Sequence, residues 1–326
     1  MSLGLLRGGY RGALLAWLGF TLPSALLMML FAMALSNATT LPAGLLHGLK
    51  IVAVAVVAQA VWGMAAQYCR SIARIVIMLA CTAALLWMPT ITTQLSVLVL
   101  SGIVGLSLFR SSNSTDEHEP INVAVGHRTA IIALAIFILL LFALPLIAHV
   151  SPALHIVDIF YRSGALVFGG GHVVLPLLQS QTVTSGLVSN ETFLAGYGLT
   201  QAMPGPLFSF SAFLGASIHG NLPAWLNGCT ALAAIYLPSA LLVLGTLPFW
   251  ETLRRYAWMQ SALTGINAAV VGILLSALCN PIITPTVHHP IDVALALLDL
   301  GLLMYVKCPV WLVVLISAAG GWLLHP

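Results

Sequence analysis

The chain has few charged residues for its length. Of its 326 residues, 11 are Lys or Arg and 8 are Asp or Glu, so that 6% are charged, whereas soluble domains carry about 25%. Hydrophobic residues make up 60% of the chain and its mean hydropathy is +1.06. This composition excludes an ordinary soluble domain. The net charge of +3 is small and the basic residues are dispersed, so we expect no nucleic-acid partner.

Cysteine is scarce as well. The five cysteines are scattered through apolar segments without a C-x-x-C pair, and the ten histidines show no H-x-x-x-H spacing. These patterns argue against a zinc or redox centre. We find no nucleophile–base set at membrane depth either. We therefore expect no metal, no cofactor and no enzymatic activity.

Long apolar runs are abundant, and most are long enough to cross a bilayer. The nine predicted spans are Ala13–Ala34, Gly48–Gln67, Ile72–Met88, Leu95–Leu108, Thr129–His149, Gly228–Leu247, Leu263–Leu278, Ile291–Val306 and Pro309–Leu324. Two further crossings are expected over about Ala153–Ser180 and Phe193–Ile218. The sequence thus predicts an all-α polytopic membrane protein with about eleven transmembrane helices and no cleaved signal peptide.

Basic residues occur on alternate connections, which predicts the orientation of the spans. Those expected on the cytoplasmic side are Arg7, Arg11, Arg70, Arg74, Arg110, Arg128, Arg254, Arg255 and Lys307. The connections near residues 37–44, 89–94, 219–225 and 280–290 contain neither Lys nor Arg. The polar segment between the two halves is then a cytoplasmic linker.

A six-residue string is repeated. Leu22-Pro23-Ser24-Ala25-Leu26-Leu27 recurs at residues 237–242, and the loop charges give the two helices opposite directions. This predicts an inverted-topology repeat. We expect an N-terminal repeat of about four helices at 1–110, a linker at 111–128, a connecting helix at 129–152 and a C-terminal repeat of about six helices at 153–326.

The two repeats differ at their beginnings. In the second repeat, a glycine motif and a Pro-Gly-Pro motif precede the repeated string by about 70 and 35 residues, whereas only 21 residues precede Leu22. From this difference we expect that the first repeat lacks its first two helices. The alternatives are a chain that begins at an internal methionine and a natural variant.

Those two motifs place helix breakers inside apolar segments. One is Phe168-Gly-Gly-Gly-His-Val-Val-Leu-Pro-Leu-Leu178, and the other is Gln201-Ala-Met-Pro-Gly-Pro-Leu-Phe208. Irregular backbone at membrane depth is tolerated where it is buried in protein or lines a cavity. Consecutive glycines expose backbone N–H groups to an anion, and a following helix adds its positive end. The alternative is that the glycines only permit close helix packing.

These motifs, with Phe193-Leu-Ala-Gly-Tyr-Gly198 between them, resemble the chromate ion transporter (CHR) family over essentially the whole chain. The resemblance implies a secondary transporter in a bacterial inner membrane that exports chromate, a tetrahedral dianion mimicked by sulfate. It implies chromate resistance and protons as the coupling ion. Family members commonly carry an acidic residue where this chain has Gln179, which puts coupling or gating at that position in doubt. The resemblance leaves undecided whether two copies of the chain form a homodimer.

The candidate site follows from the motifs. The expected substrate-binding residues are Phe168, Gly169, Gly170, Gly171, His172, Gln201, Pro204, Gly205 and Pro206. The candidates for gating or coupling are Asp158, Arg162 and Lys50. Asp158 and Arg162 are four residues apart and can form an ion pair on a helix near the outer end of their span. His172 can bind the oxyanion, carry a proton or be a core histidine, and Lys50 can reach the outer interface.

Two other functions remain open from the sequence. One is uptake of sulfate or a related oxyanion, because these residues do not determine the direction of transport. The other, from a different class, is a truncated remnant without transport of its own, or a subunit that needs a partner.

Overall fold

The computed structural model describes residues 2–37, 42–109, 126–167, 171–218, 222–249 and 256–324. These residues form thirteen α-helices, and no strand occurs among them. The helices are α1 (Ser2–Asn37), α2 (Ala43–Tyr68), α3 (Ile72–Trp87), α4 (Ile91–Leu108), α5 (His127–Ile147), α6 (Pro152–Ala165), α7 (Val174–Thr182), α8 (Asn190–Ala202), α9 (Phe210–Ser217), α10 (Ala224–Thr246), α11 (Ala257–Ala277), α12 (Pro290–Gly301) and α13 (Val310–Leu324).

The helix lengths and the surface identify a multi-pass membrane protein. Five helical stretches are long and apolar enough to cross a bilayer, namely Arg7–Ser36, Gly44–Tyr68, His127–Val150, Ala224–Phe249 and Ala257–Ile283. Shorter apolar helices accompany them. Large apolar side chains face outward on many helices, and Trp87 is 87% exposed. A surface of this kind is suited to lipid rather than water. The predicted all-α membrane class is confirmed.

Close backbone contacts at glycine assemble the long helices. A Cβ on Gly265 of α11 would lie 2.0 Å from the backbone oxygen of Ser101 on α4, and one on Gly272 would lie 2.4 Å from that of Met78 on α3. Helix α11 therefore packs tightly against both α3 and α4. A Cβ on Gly48 of α2 would similarly lie 2.1 Å from the backbone oxygen of Ser317 on α13. Small residues allow such approach between membrane helices.

Helices α8 and α9 fold back on each other. The rings of Phe193 and Phe210 have centroids 5.1 Å apart, and those of Tyr197 and Phe210 are 5.8 Å apart. If the chain continued in one direction, residues 193 and 210 would be separated by more than two helical turns. The two helices, joined by the Pro-Gly-Pro break, are therefore a helical hairpin, called here the proline hairpin (Asn190–Ser217).

Helices α6 and α7 form a second hairpin, called here the glycine hairpin (Pro152–Thr182), and they pack against each other on either side of the glycine motif. Its turn lies at the middle of the molecule, because Gly164 contacts Ile235 halfway along α10, and Val173 belongs to the same buried apolar cluster as Cys81 halfway along α3. Farther along α7, Gln179 lines a cavity together with Pro89, which lies in the connection between α3 and α4.

These hairpins bear on two of the predicted spans. In the described parts of Ala153–Ser180 and Phe193–Ile218, two helices pack against each other instead of forming one continuous helix, and their path through the membrane stays a prediction. An apolar segment with a break in its middle has the length and composition of one crossing, whichever direction the chain takes after the break. The reversal depends on contacts between residues far apart in sequence, such as Phe193 with Phe210.

Candidate functional site

The turn of the proline hairpin is seated against α1. Gly205 has φ of +155°, a conformation that side-chain-bearing residues rarely adopt. A Cβ at this position would also lie 2.4 Å from the Oγ atom of Ser24. Ser24 follows Pro23, and its hydroxyl donates to the backbone oxygen of Thr21 at 3.0 Å. Glycine is therefore required between Pro204 and Pro206, and the break contacts the middle of the first helix.

The turn of the glycine hairpin meets the same region. Phe168, Gly169 and Gly170 lie outside the described residues, so their predicted role stays a prediction. Gly171 is described, and a Cβ on it would lie 3.4 Å from the Cβ of Leu207. Leu207 directly follows the Pro-Gly-Pro motif. The two motifs, which are about 30 residues apart in sequence, are thus in contact at the middle of the molecule.

His172 joins the two hairpins by a hydrogen bond. Its Nδ1 atom lies 2.7 Å from the hydroxyl oxygen of Tyr197 on α8, and the two rings make an edge contact with centroids 6.5 Å apart. Tyr197 is fully buried. When Nδ1 accepts from the tyrosine hydroxyl, Nε2 carries the ring proton and can donate to a further acceptor. The histidine is therefore both a link between the hairpins and a potential donor at the turns.

Gln201 lies in the last turn of α8, just before the Pro-Gly-Pro break. Its Nε2 atom is buried and has no hydrogen-bond partner among the described residues. A buried amide donor without a partner costs free energy unless a ligand or water satisfies it. Its place next to the turns makes Gln201 the described side chain best suited to complete a polar site there.

Four helix ends meet at the turns. Helices α7 and α9 begin there, each preceded by a short 3₁₀ segment, at Gly171–Val173 and Leu207–Ser209. The first N–H groups of a helix lack intrahelical partners and carry partial positive charge. Two such ends next to each other favour an anion. Helices α6 and α8 end in the same region and supply backbone carbonyl oxygens, so the site combines donors with acceptors.

An ion pair lies close to the glycine turn. Arg162 Nη2 donates to Asp158 Oδ2, and the Asp158 side chain is 2% exposed. The predicted pairing is confirmed by this contact. Arg162 lies in the last turn of α6, which ends at Ala165, and its predicted position near the outer end of the span stays a prediction. The second oxygen of Asp158 and the Nε atom of Arg162 have no partner among the described residues.

Lys50 is placed away from the turns. Its Nζ atom lies 3.7 Å from an oxygen of Glu191, whose side chain is 81% exposed. Glu191 is in the first turn of α8, whereas Gln201 is in the last. At 1.5 Å per residue, these ends are about 15 Å apart. The structure therefore does not bring Lys50 together with the other candidate site residues.

Two residues at the turns were not among the site residues predicted from the sequence. Tyr197 belongs to the motif Phe193–Gly198, and Ser24 belongs to the repeated Leu-Pro-Ser string. Both lay within patterns that the sequence makes visible, yet their partners in distant segments could not be deduced from spacing. Within the described ranges, no group of three His, Cys, Asp or Glu side chains could hold a metal ion.

Broken helices that meet at the middle of an apolar helical protein are the architecture of secondary transporters. A match to one known family makes this assignment more specific. The family described as Chromate transporter matches residues 1–106 and 154–322, most of the chain. The chain belongs to the chromate transporter family, whose members are transporters and not enzymes.

Several curated proteins are similar to this chain. An uncharacterized transporter of Methanocaldococcus jannaschii is 23% identical over 97% of the chain and 77% of its own length. A chromate transport protein of Cupriavidus metallidurans is 27% identical over 46% of the chain and 36% of its own length. One of Pseudomonas aeruginosa is 26% identical over 51% of the chain and 40% of its own length. No solved structure matches the chain.

Proposed function

We propose that this protein is a secondary transporter that exports chromate across the bacterial inner membrane, driven by the proton gradient, and thereby confers chromate resistance. Family membership and two relatives named as chromate transport proteins support the substrate class. Those two matches cover less than half of either relative, so the activity of the whole relatives is part of the proposal.

The observation that carries the proposal is the contact between the two hairpin turns. Chromate is a tetrahedral dianion, and it can be held by several hydrogen-bond donors without a buried cation. Gly171 and Leu207 bring the starts of α7 and α9 together. His172 and Gln201 add side-chain donors beside them. We assign the oxyanion site to this junction, and we propose that Pro204–Pro206 and the predicted residues Phe168, Gly169 and Gly170 complete it.

The hairpins also give the proposal a topology. We propose nine crossings, formed by α1 to α5 and α10 to α13, and two re-entrant hairpins that enter from the outer side. The connection at residues 183–189 contains no Lys or Arg, in keeping with an outer location. In this arrangement α1 and α10 run in opposite directions, so the inverted repeat is retained. The Asp158–Arg162 pair, next to the turn, is a candidate gate.

Transport is tested with the full chain in proteoliposomes. We expect uptake of labelled chromate, with unlabelled sulfate as a competitor because backbone donors recognise the tetrahedral shape that both ions share. Gly171→Val should abolish this flux, since its side chain would enter the space between the turns. Gly19→Val is the matched control, because a Cβ at Gly19 has no neighbour within 4 Å. Equal flux in the wild type and the Gly171→Val variant would contradict the assignment of the site.

Direction and resistance are tested in cells. Expression of the wild type should lower cellular chromate and raise the chromate concentration that permits growth, whereas Gly171→Val should do neither. If expression instead raises cellular chromate or sulfate, the protein is an uptake system.

The topology is tested by labelling single cysteines in a chain whose five native cysteines are replaced. Thr184→Cys, between the hairpins, should react with a membrane-impermeant thiol reagent added outside, because both hairpins open on that side. Gly126→Cys, at the start of α5, should react only after the membrane is permeabilised. Labelling of Thr184→Cys only from the cytoplasmic side would instead support two complete crossings.

A further inference from the structure

Helix α12 carries two buried carboxylates, at Asp292 and Asp299. Both side chains are fully buried, and seven residues, or two helical turns, place them on the same side of the helix about 10 Å apart along its axis. Neither belongs to the hairpin turns. Carboxylates inside membrane helices are costly and mark ion or proton pathways unless a structural partner explains them.

Asp292 has such partners. One carboxylate oxygen lies 2.9 Å from Nε2 of His47 on α2. The other accepts from the backbone N–H groups of His288 and His289, each at 3.0 Å. This cluster stabilises the start of α12, and it holds three imidazole-bearing residues at one end of the molecule.

Asp299 differs from Asp292 in having no partner for its charge. Neither of its carboxylate oxygens has a hydrogen bond among the described residues. The hydroxyl of Ser317 on α13 lies beside the carboxyl group, but it donates to the backbone oxygen of Gly48 at 2.9 Å. A hydroxyl has one hydrogen, so in this arrangement Ser317 offers Asp299 only an acceptor.

The Asp299 carboxylate and the Ser317 oxygen are both acceptors, and a proton on Asp299 supplies the hydrogen that is missing between them. The protonated carboxyl can donate to Ser317 Oγ, and Ser317 continues to donate to Gly48, so that the three groups form a chain of hydrogen bonds. The charged groups that face this region are limited. Helix α2 contributes His47 and Lys50, Lys50 is paired with Glu191, and α13 has no titratable side chain.

The turn of α2 that contains Gly48 and Leu49 connects the Asp299 carboxyl group to the proline hairpin. Gly48 accepts the hydrogen bond from Ser317. The next residue, Leu49, contacts α8, because a Cβ on Gly198 would lie 2.2 Å from its backbone oxygen. A change at Asp299 can therefore reach the helix that carries Tyr197 and Gln201 through one turn of backbone.

We infer that Asp299 is the proton-binding site of the transport cycle, and that protons reach it from the end of the molecule where His47 and Asp292 lie. The inference rests on the proposed function, since it names the group that couples oxyanion transport to the proton gradient. In the cycle, one proton adds to the Asp299 carboxylate and neutralises it, and the same proton leaves when the group faces the other side.

The test compares two modes of chromate flux in proteoliposomes containing the full chain. One mode is accumulation driven by an imposed pH gradient, and the other is exchange of labelled for unlabelled chromate without a gradient. Asp299→Asn imitates the neutral carboxyl, so it should lose the gradient-driven accumulation and keep the exchange. Glu117→Gln, which removes a carboxylate from the polar linker at residues 111–128, is the matched control and should keep both modes.

Other results would overturn the inference. Gradient-driven accumulation equal to that of the wild type in Asp299→Asn excludes Asp299 as the coupling group. Loss of both modes in a variant that inserts and unfolds at the wild-type temperature assigns Asp299 to substrate movement instead. Ser317→Ala provides a second variant, because it removes only the acceptor, and it should weaken the gradient-driven mode more than the exchange.

An infrared measurement separates this inference from the proposed function. Spectra of the membrane-inserted wild type should contain the C=O band of a protonated carboxyl that shifts in D₂O and is missing from Asp299→Asn. If the wild type moves no chromate but the band is present, the proposed function fails and the proton site stands. If the spectra of the wild type and Asp299→Asn agree in this region at every pH, the proton site is excluded whatever the transport result.

Discussion

The two hairpins have the same plan but are held together differently. The proline hairpin is closed by buried aromatic rings, those of Phe193, Tyr197, Phe210 and Phe213. The glycine hairpin carries the Asp158–Arg162 pair in α6, and Gly171 lies at its turn. Apolar packing fixes a geometry over many contacts, whereas an ion pair depends on two side chains that must both stay in place. The glycine hairpin also has buried apolar residues, among them Ile159, Phe160 and Leu175, so the ion pair is what distinguishes it from the proline hairpin.

The largest effect is expected when the ion pair of the glycine hairpin is broken. Arg162→Ala leaves the Asp158 carboxylate buried and unpaired, and breaking a buried pair costs about 3–5 kcal/mol. Because the Arg162 side chain is 27% exposed, we expect the lower end of that range. The thermal unfolding of the purified protein measures it.

A double substitution provides the control for that experiment. Asp158→Asn combined with Arg162→Gln removes both charges and should be less destabilising than the sum of the two single substitutions. Strictly additive effects would show that the pair contributes nothing to the hairpin.

A smaller effect is expected from overfilling the proline hairpin. Gly196→Ala places a Cβ 2.1 Å from the ring of Phe213, and overpacking of this kind costs about 1–3 kcal/mol. In an open helix the same change is favourable by up to about 1 kcal/mol. Gly63→Ala in α2 has no neighbour within 4 Å and is the matched control. If both variants unfold at or above the wild-type temperature, the proline hairpin is not tightly closed.

The smallest effect is expected from the link between the hairpins. Tyr197→Phe removes the hydrogen bond to His172 and should cost about 0.5–1.5 kcal/mol of stability. Tyr161→Phe removes a comparable bond, from the tyrosine hydroxyl to the backbone oxygen of Phe137 at 3.0 Å. Only Tyr197→Phe should raise the chromate concentration needed for half-maximal flux, because only this bond orients His172 at the turns. Equal flux parameters in the two variants would remove His172 from the site.

Local sequence was sufficient for the helices and for the two breaks. The long apolar stretches, with the repeated Leu-Pro-Ser string at Pro23 and Pro238, lie in helices as expected, because length and hydrophobicity are properties of a continuous segment. The pairing of Asp158 with Arg162 follows from their spacing on one helix. These features need no knowledge of the rest of the chain.

Features that depend on distant segments could not be predicted in this way. The reversal of the chain at each break is determined by packing between Phe193 and Phe210 and between α6 and α7. The absence of Lys and Arg from residues 183–189 was the available signal for it, but a short neutral connection is compatible with either side. Similarly, the partner of Lys50 is Glu191 on α8. The distance of Lys50 from the junction therefore could not be predicted from the sequence of α2 alone.

The close approach of α2 to its neighbours has a mechanical consequence. Backbone meets backbone where Gly48 contacts Ser317, where Gly321 contacts Gly44, and where Gly198 contacts Leu49. A shift of α2 by one residue along either neighbour would place a side chain where only hydrogen now fits. We therefore expect helices α2, α8 and α13 to move as one body when the protein changes shape.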